Sequence, residues 1–111
     1  MRLFKTTIAL MLALALCACG KPLPPERAAY AGEWSAPSMY LQITQEGGVN
    51  YKRVAGANTT TVNAPIQEFE GNNMVVGVGP MSTKFIVSVP PHQVGTAWKM
   101  TVDGVELTRQ P

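Results

Sequence analysis

From Met39 to Arg109 hydrophobic and polar residues alternate with a period of two, which is the pattern of half-buried β-strands. Five glycine-containing turns separate the alternating stretches: Gly47-Gly48, Gly56-Ala57-Asn58, Gly71-Asn72-Asn73, Gly79-Pro80-Met81-Ser82 and Asp103-Gly104. Short turns of this composition join strands that pair antiparallel. A strand is expected over Lys84–Val89, followed by a loop from Pro90 to Gly95. The pattern therefore predicts an all-β fold, a small antiparallel meander of about seven strands that forms a barrel or sandwich.

The apolar side of the alternation predicts the core. The residues expected to face inward are Met39, Leu41, Ile43, Val49, Tyr51, Val62, Ile66, Phe69, Met74, Val76, Val78, Phe85, Val87, Val89, Trp98, Met100, Val102, Val105 and Leu107. Each large apolar side chain contributes about 1.5–3 kcal/mol when it is fully buried. Because a large cavity would lose much of this packing in so small a domain, we expect a filled interior or a shallow groove.

Two stretches depart from the alternation. Residues 74–78 and 85–87 are apolar on both faces, and strands of this kind are usually covered on both sides. Two explanations are open. Either the N-terminal segment Tyr30–Trp34 covers the second face, or Val75 and Ile86 form an exposed apolar patch that docks a partner.

The first 18 residues follow a different pattern. Arg2 and Lys5 precede an uncharged apolar run, Ile8–Leu16, and small residues follow that run. A basic start, a short apolar segment and a small-residue exit are the features of a secretory signal peptide. The run is shorter than the roughly 20 residues that a membrane-spanning helix needs, so an uncleaved membrane anchor is the weaker alternative.

The segment from Leu16 to Cys19 resembles a bacterial lipobox, in which an aliphatic residue and two small residues precede an invariant cysteine. Leu16 and Ala18 fit this pattern with Cys19 as the acceptor, whereas Cys17 as acceptor would place the bulky leucine at the cleavage site. The resemblance implies cleavage after Ala18 and a diacylglycerol thioether on Cys19, which anchors the chain to a membrane. Gly20 in the next position favours the outer membrane and its periplasmic face. An ordinary signal peptide with an unmodified thiol is the alternative.

These features divide the chain into a signal peptide (residues 1–18), a lipidated tether (residues 19–29) and a β domain (residues 30–111). Three prolines in the tether favour extended backbone, and a helical turn is expected just after Pro25. Removal of Arg2 and Lys5 leaves seven basic and seven acidic residues, so the mature chain has no net charge. We therefore expect no nucleic-acid partner. One cysteine remains, which excludes an intramolecular disulfide.

No pattern in the sequence predicts catalysis, a cofactor or a metal site. His92 is the one histidine, and a zinc site needs three or four ligands. A Ser-His-Asp arrangement around His92 and Asp103 would lack a nucleophile elbow. Glu68 and Glu70 share one face of a strand, but next to a turn such a pair is typical of a solvated strand end. We therefore expect a protein that is not an enzyme.

Two resemblances concern the β domain. Gly32-Glu33-Trp34 resembles the opening of lipocalin-like barrels, in which the tryptophan plugs one end, and this implies Trp34 as the plug. Residues 30–109 are also similar to a group of small bacterial lipoproteins, through residues 64–69, 75–79 and 98–109, and this likeness implies no activity. The chain has about half the length of a lipocalin.

Together these observations predict an outer-membrane lipoprotein, held by the lipid on Cys19, whose β domain binds an envelope protein as an accessory subunit or inhibitor. The predicted partner site is the patch at Val75 and Ile86. The alternative is a small lipocalin-like carrier of lipid or another hydrophobic ligand, suggested by Trp34. A hydrolase is a third hypothesis and would depend on polar residues such as His92.

Overall fold

A computed structural model describes residues 21–111, so the predicted signal peptide, the lipid attachment residue Cys19 and Gly20 lie outside the described residues. A 3₁₀ helix at Pro25–Tyr30 opens this part of the chain, as the sequence predicts, and its first residue is the proline. The strands that follow are β1 (Gly32–Ala36), β2 (Met39–Ile43), β3 (Gly48–Ala55), β4 (Asn58–Glu70), β5 (Asn73–Val78), β6 (Met81–Phe85), β7 (Val87–Val94), β8 (Ala97–Val102) and β9 (Val105–Arg109).

The strands form one antiparallel sheet in the order β6-β5-β4-β3-β2-β1-β9-β8-β7. The predicted all-β antiparallel meander is confirmed, and it takes the form of a single curled, barrel-like sheet. The described residues contain nine strands instead of about seven. The segment Gly32–Ala36, expected only to precede the first strand, is itself a strand, and the strand expected around Lys84–Val89 is divided at Ile86.

The sheet curls because its two outermost strands are consecutive in the chain. β6 and β7 lie at opposite ends of the strand order, yet Ile86 alone separates them. Since neighbouring Cα atoms are about 3.8 Å apart, the two margins of the sheet meet at this residue. The chain pairs with β5 before Ile86 and with β8 after it. The bend at Ile86 is thus the point at which one long strand changes partners.

Side chains from both neighbours satisfy the backbone at this bend. The N–H of Ile86 donates to Asp103 Oδ1 at 2.9 Å, and the N–H of Val87 donates to Asn73 Oδ1 at 2.8 Å. The N–H of Asp103 donates to the carbonyl oxygen of Ile86 at 2.8 Å. Asp103 has a φ of 48° and Gly104 a φ of 80°, as a two-residue Asp-Gly hairpin turn requires. This turn aims the Asp103 carboxylate at the bend.

The segment from Pro90 to Gly95, expected to be a loop, belongs largely to β7, which continues to Val94. β7 lies at a margin of the sheet and pairs with β8 alone. Its register also shifts twice, between Val87 and Val89 and between Val89 and His92. Proline is tolerated on such an irregular edge strand because its missing N–H removes no ladder hydrogen bond.

The core lies on the concave side of the sheet and contains most of the predicted inward residues. Buried members of this core are Tyr30, Trp34, Met39, Leu41, Ile43, Val49, Tyr51, Ile66, Met74, Val76, Phe85, Val87, Met100, Val102 and Leu107. Val78 and Val89 were expected to face inward, but they are 68% and 40% exposed. Val78 lies at a hairpin tip beyond the core, and Val89 lies between the two register shifts, which interrupt the alternation.

Consecutive turns of the meander alternate between two ends of the molecule. The N-terminal end holds Lys21 and the β2–β3 and β4–β5 turns, and the distal end holds the β1–β2, β3–β4 and β5–β6 turns. Leu23 packs against the core and its N–H donates to the Gln45 carbonyl oxygen at 2.9 Å. A β-carbon at Gly47 would overlap the Lys21 carbonyl oxygen. The described part of the expected tether therefore packs against the sheet.

If the bend at Ile86 depends on the Asp103 carboxylate, Asp103→Ala lowers the free energy of unfolding by about 1–3 kcal/mol, because it removes the hydrogen bond to the Ile86 N–H and places alanine at positive φ. Asp103→Asn is the matched control. It keeps an oxygen acceptor and tolerates positive φ, so its effect is expected to stay below about 1 kcal/mol. Equilibrium urea unfolding measures both, and equal stabilities of the alanine and asparagine variants would contradict this role.

Candidate functional site

The predicted partner patch at Val75 and Ile86 does not form. Ile86 is 46% exposed at the bend, but Val75 is 8% exposed. Val75 pairs directly with Glu68 and Lys84, so the three side chains share the outer face of the sheet. The aliphatic parts of such long side chains cover a neighbouring valine while their charged ends reach water.

An exposed ion pair lies beside Val75. Lys84 Nζ is 2.6 Å from Glu70 Oε1. Its hydrogen bond and charge attraction to Glu70 raise the pKa of Lys84. The other explanation for the two-sided apolar strands, that the segment Tyr30–Trp34 covers their second face, is also wrong, because Tyr30 and Trp34 belong to the core on the concave side.

Trp34 lies fully buried near the N-terminal end. Its Nε1 donates to the Tyr30 carbonyl oxygen at 2.9 Å. The Arg109 guanidinium lies 5.8 Å from the Trp34 ring centre and 4.8 Å from that of Trp98, within range of cation–π attraction. The Arg109 side chain crosses Gly32 so closely that a β-carbon there would lie 2.7 Å from its Cδ. Aromatic rings and a cation are therefore packed together at this end.

A second cation attaches the 3₁₀ helix to the β4–β5 turn. Arg27 Nη2 donates to the Gly71 carbonyl oxygen at 2.6 Å, and the guanidinium lies 4.8 Å from the Phe69 ring centre. The Tyr30 hydroxyl donates to the Asn72 carbonyl oxygen at 2.9 Å. Burial raises the pKa of Tyr30, and the nearby Arg27 partly opposes that shift. These contacts give the polar groups of Arg27 and Tyr30 a structural role, which is to hold the 3₁₀ helix against the turn.

The residues considered for chemistry do not assemble into a site. His92 Nδ1 lies 2.9 Å from the Pro90 carbonyl oxygen on β7, whereas Asp103 accepts from the backbone at the bend. Glu68 is exposed on the outer face. Within residues 21–111, no three histidine, cysteine or acidic side chains are grouped so that they could hold a metal ion.

Residues 21–111 contain no helix that is long and apolar enough to cross a membrane.

The concave interior is occupied by protein side chains. Trp34, Leu41, Met74, Phe85 and Met100 are each at most 1% exposed and fill the space between the strands. A carrier of the lipocalin kind needs an enclosed cavity for its ligand. The filled interior gives the carrier hypothesis no support.

Among residues 21–111, the most exposed large apolar side chains lie at the distal end, on the β5–β6 hairpin. Val78 is 68% exposed and Met81 is 78% exposed, and they form the cross-strand pair that closes the hairpin. The loop is Gly79-Pro80, in which Gly79 has a φ of 58°. At Gly77 a β-carbon would overlap the Met81 carbonyl oxygen, so only glycine permits this close approach.

An open cleft lies between this hairpin and β4. The pairing of β4 with β5 begins at Ile66, and the first half of β4 pairs with β3 alone. At the start of the β5 pairing the register shifts, and Gln67 Nε2 donates to the Gly79 carbonyl oxygen at 3.0 Å. The space where the strands diverge has a volume of about 430 Å³. Its apolar lining includes Val62, Ala64, Val76, Val78 and Met81. We call this space the distal cleft.

Sequence reasoning missed this site because it assigned Val78 to the core and Met81 to a turn. One signal was present. Gly79-Pro80 is suited to a two-residue hairpin loop, with glycine at positive φ and proline at negative φ. If Gly79-Pro80 is interpreted as a two-residue loop, Val78 and Met81 become the pair that closes the hairpin.

Comparison with protein-family models, with curated proteins and with solved structures gives no match to this chain. The interpretation of the distal cleft therefore depends on its geometry alone.

Proposed function

We propose that this protein is a lipid-anchored, non-catalytic protein-binding module of the bacterial envelope, and that its distal end binds the partner. The exposed pair Val78 and Met81 beside an apolar cleft is the observation that carries this proposal. Exposed apolar groups that adjoin one another and a cleft are typical of interaction surfaces, whereas isolated ones are common on any protein. An accessory subunit or an inhibitor would use such a surface.

The position of the N-terminus supports the same proposal. A lipid on Cys19 would be two residues from Lys21, which is about 7 Å of extended chain. Lys21 lies against the β2–β3 turn at the N-terminal end. Anchoring would therefore hold this end close to the outer membrane, on its periplasmic side. The distal cleft would face away from the lipid, where a second envelope protein can reach it.

If Cys19 carries the lipid, Cys19→Ser abolishes incorporation of radiolabelled palmitate and moves the protein from the membrane fraction to the soluble fraction. Stable anchoring needs two or more acyl chains, so loss of the acceptor removes it. Cys17→Ser is the matched control and is expected to leave both label and fractionation unchanged. Retention of the label in the Cys19 variant would contradict lipid anchoring at this residue.

If the distal cleft binds the partner, cross-linking in cells recovers at least about tenfold less partner protein with the double variant Val78→Ser/Met81→Ser than with the parent. Burial of each apolar side chain at an interface is worth more than the roughly 1.4 kcal/mol that corresponds to a factor of ten. Both side chains are exposed, so stability should change by less than about 0.5 kcal/mol per substitution.

The control is Val94→Ser, which changes another exposed valine near the β7–β8 turn at the N-terminal end. Quantitative mass spectrometry compares the envelope proteins recovered with each variant. If the double variant and the parent recover the same envelope proteins in equal yield, the distal cleft is not the partner site.

A further inference from the structure

We propose that the partner binds through an extended segment with alternating acidic and apolar side chains, which pairs as an added strand with the free edge of β4. This inference rests on the proposed function, because it places the partner at the distal cleft. It goes further in naming the chemical class of the partner segment and the backbone groups that hold it.

The first half of β4 has one free edge. Its pairing partner is β3, through the pairs from Ala55–Asn58 to Gly48–Pro65. The pair that closes a two-residue loop is hydrogen-bonded, and such pairs alternate along an antiparallel ladder. Thr60 and Val62 therefore point their backbone groups toward β3. By the same alternation, the N–H and C=O groups of Thr59, Thr61 and Asn63 point away from β3.

Two neighbouring residues fit this alternation. Pro65 continues the outward-pointing series and has no N–H that could remain unpaired there. Ile66 belongs to the inward-pointing series, and its N–H donates to the Gly47 carbonyl oxygen at 2.7 Å. No strand among the described residues pairs with the outward groups of Thr59, Thr61 and Asn63.

This edge lacks the features that usually prevent strand addition. Natural proteins protect edge strands with proline, charged residues or bulges. β7 has Pro90, Pro91 and two register shifts, and β6 is short and bears Lys84. Residues 58–64 contain neither proline nor a charged residue, and threonine and valine favour the extended conformation. Unpaired groups on such an edge can hold a segment from another polypeptide by β-strand addition.

The charges beside the edge favour an acidic segment. Lys52 and Arg53 on β3 pair directly with Thr61 and Thr60, and residues 48–67 contain no aspartate or glutamate. An added strand would lie about 10 Å from β3, with only the short threonines between. Lys52 and Arg53 are adjacent on β3 and therefore lie on opposite faces of the sheet, with Arg53 on the face of Val62 and the cleft. When the apolar side chains of the segment enter the cleft, Lys52 can reach over Thr61 toward the acidic side chains on the other face. Two copies of this chain paired at β4 would instead bring like charges together, so a second copy is the weaker occupant.

The distal cleft accounts for the apolar part of the segment. Val62 and Ala64 lie on β4 just after Thr61, and their side chains line the cleft together with Val78 and Met81. A strand that pairs with the edge would run directly past this cleft, so apolar side chains at alternate positions could enter it. Backbone pairing would supply affinity, and the cleft and the cations would supply specificity.

The test uses two synthetic ten-residue peptides, an alternating valine–glutamate peptide and an alternating valine–lysine peptide, with the purified full chain in detergent micelles. Amide hydrogen exchange is measured by nuclear magnetic resonance. The acidic peptide is expected to slow exchange at Thr59, Thr61 and Asn63 at least tenfold, while Thr60 and Val62 change little because β3 already pairs with them. The lysine peptide should bind at least tenfold more weakly.

Two variants at one position separate backbone pairing from side-chain contact. Thr61→Pro removes an outward N–H without removing a bond to β3, so it should abolish binding, whereas Thr61→Val keeps the N–H and should bind as the parent does. Should the proline variant fail to fold by circular dichroism, Lys52→Glu/Arg53→Glu is the second test. It leaves the edge intact and should reverse the preference between the two peptides.

Several results would overturn strand addition at β4: no binding of either peptide at millimolar concentration, binding without protection of the three outward amides, or equal binding by the proline and valine variants. Self-association that Thr61→Pro abolishes would assign the edge to a second copy and would also overturn the proposal. The proposed function is judged separately. It stands if Val78→Ser/Met81→Ser still reduces recovery of an envelope partner, and falls if that variant has no effect.

Discussion

The change of partner at Ile86 is the constraint on which the rest of the structure depends. The two margins of the sheet meet there because one strand pairs with β5 before the bend and with β8 after it. Carboxylate and amide oxygens from Asp103 and Asn73 pair with the two N–H groups that the bend would otherwise leave without partners. Closure at this point gives the sheet its concave side, and the concave side lets residues 21–111, which contain no cysteine, bury a core.

The same closure divides the molecule into two ends with different properties. At the N-terminal end the guanidinium groups of Arg27 and Arg109 lie on aromatic rings, and the 3₁₀ helix is bonded to a turn. At the distal end, the pairing of β4 with β5 stops at Ile66 and the strands separate. A lipid at Cys19 would orient this asymmetry, with the packed end toward the membrane and the open end away from it.

Period-two alternation predicted the hairpins and most of the core because each depends on local sequence. The Asp103-Gly104 turn and the inward positions of β2, β3 and β8 follow from it directly. The bend at Ile86 could not be predicted, because alternation does not show that one strand has two partners. The same limit explains why Val75, expected in an exposed patch, is buried, whereas Val78, expected in the core, is exposed. Apolar residues on both faces of β5 looked alike in sequence, and only the register shows that Glu68 and Lys84 flank Val75 while Val78 lies beyond the core.

The first half of β4 is informative because its sequence has no evident stabilising purpose. Residues 58–61 are exposed, so this part of the hairpin buries little apolar surface, and its strand edge is left without the protection that β7 has. An unprotected edge carries a risk of aggregation. Here Lys52 and Arg53 oppose pairing between two copies of the chain, whereas they would attract an acidic segment. If the proposed segment binds here, the charges on β3 would serve both as protection against self-association and as recognition elements, so that the edge itself could remain uncharged.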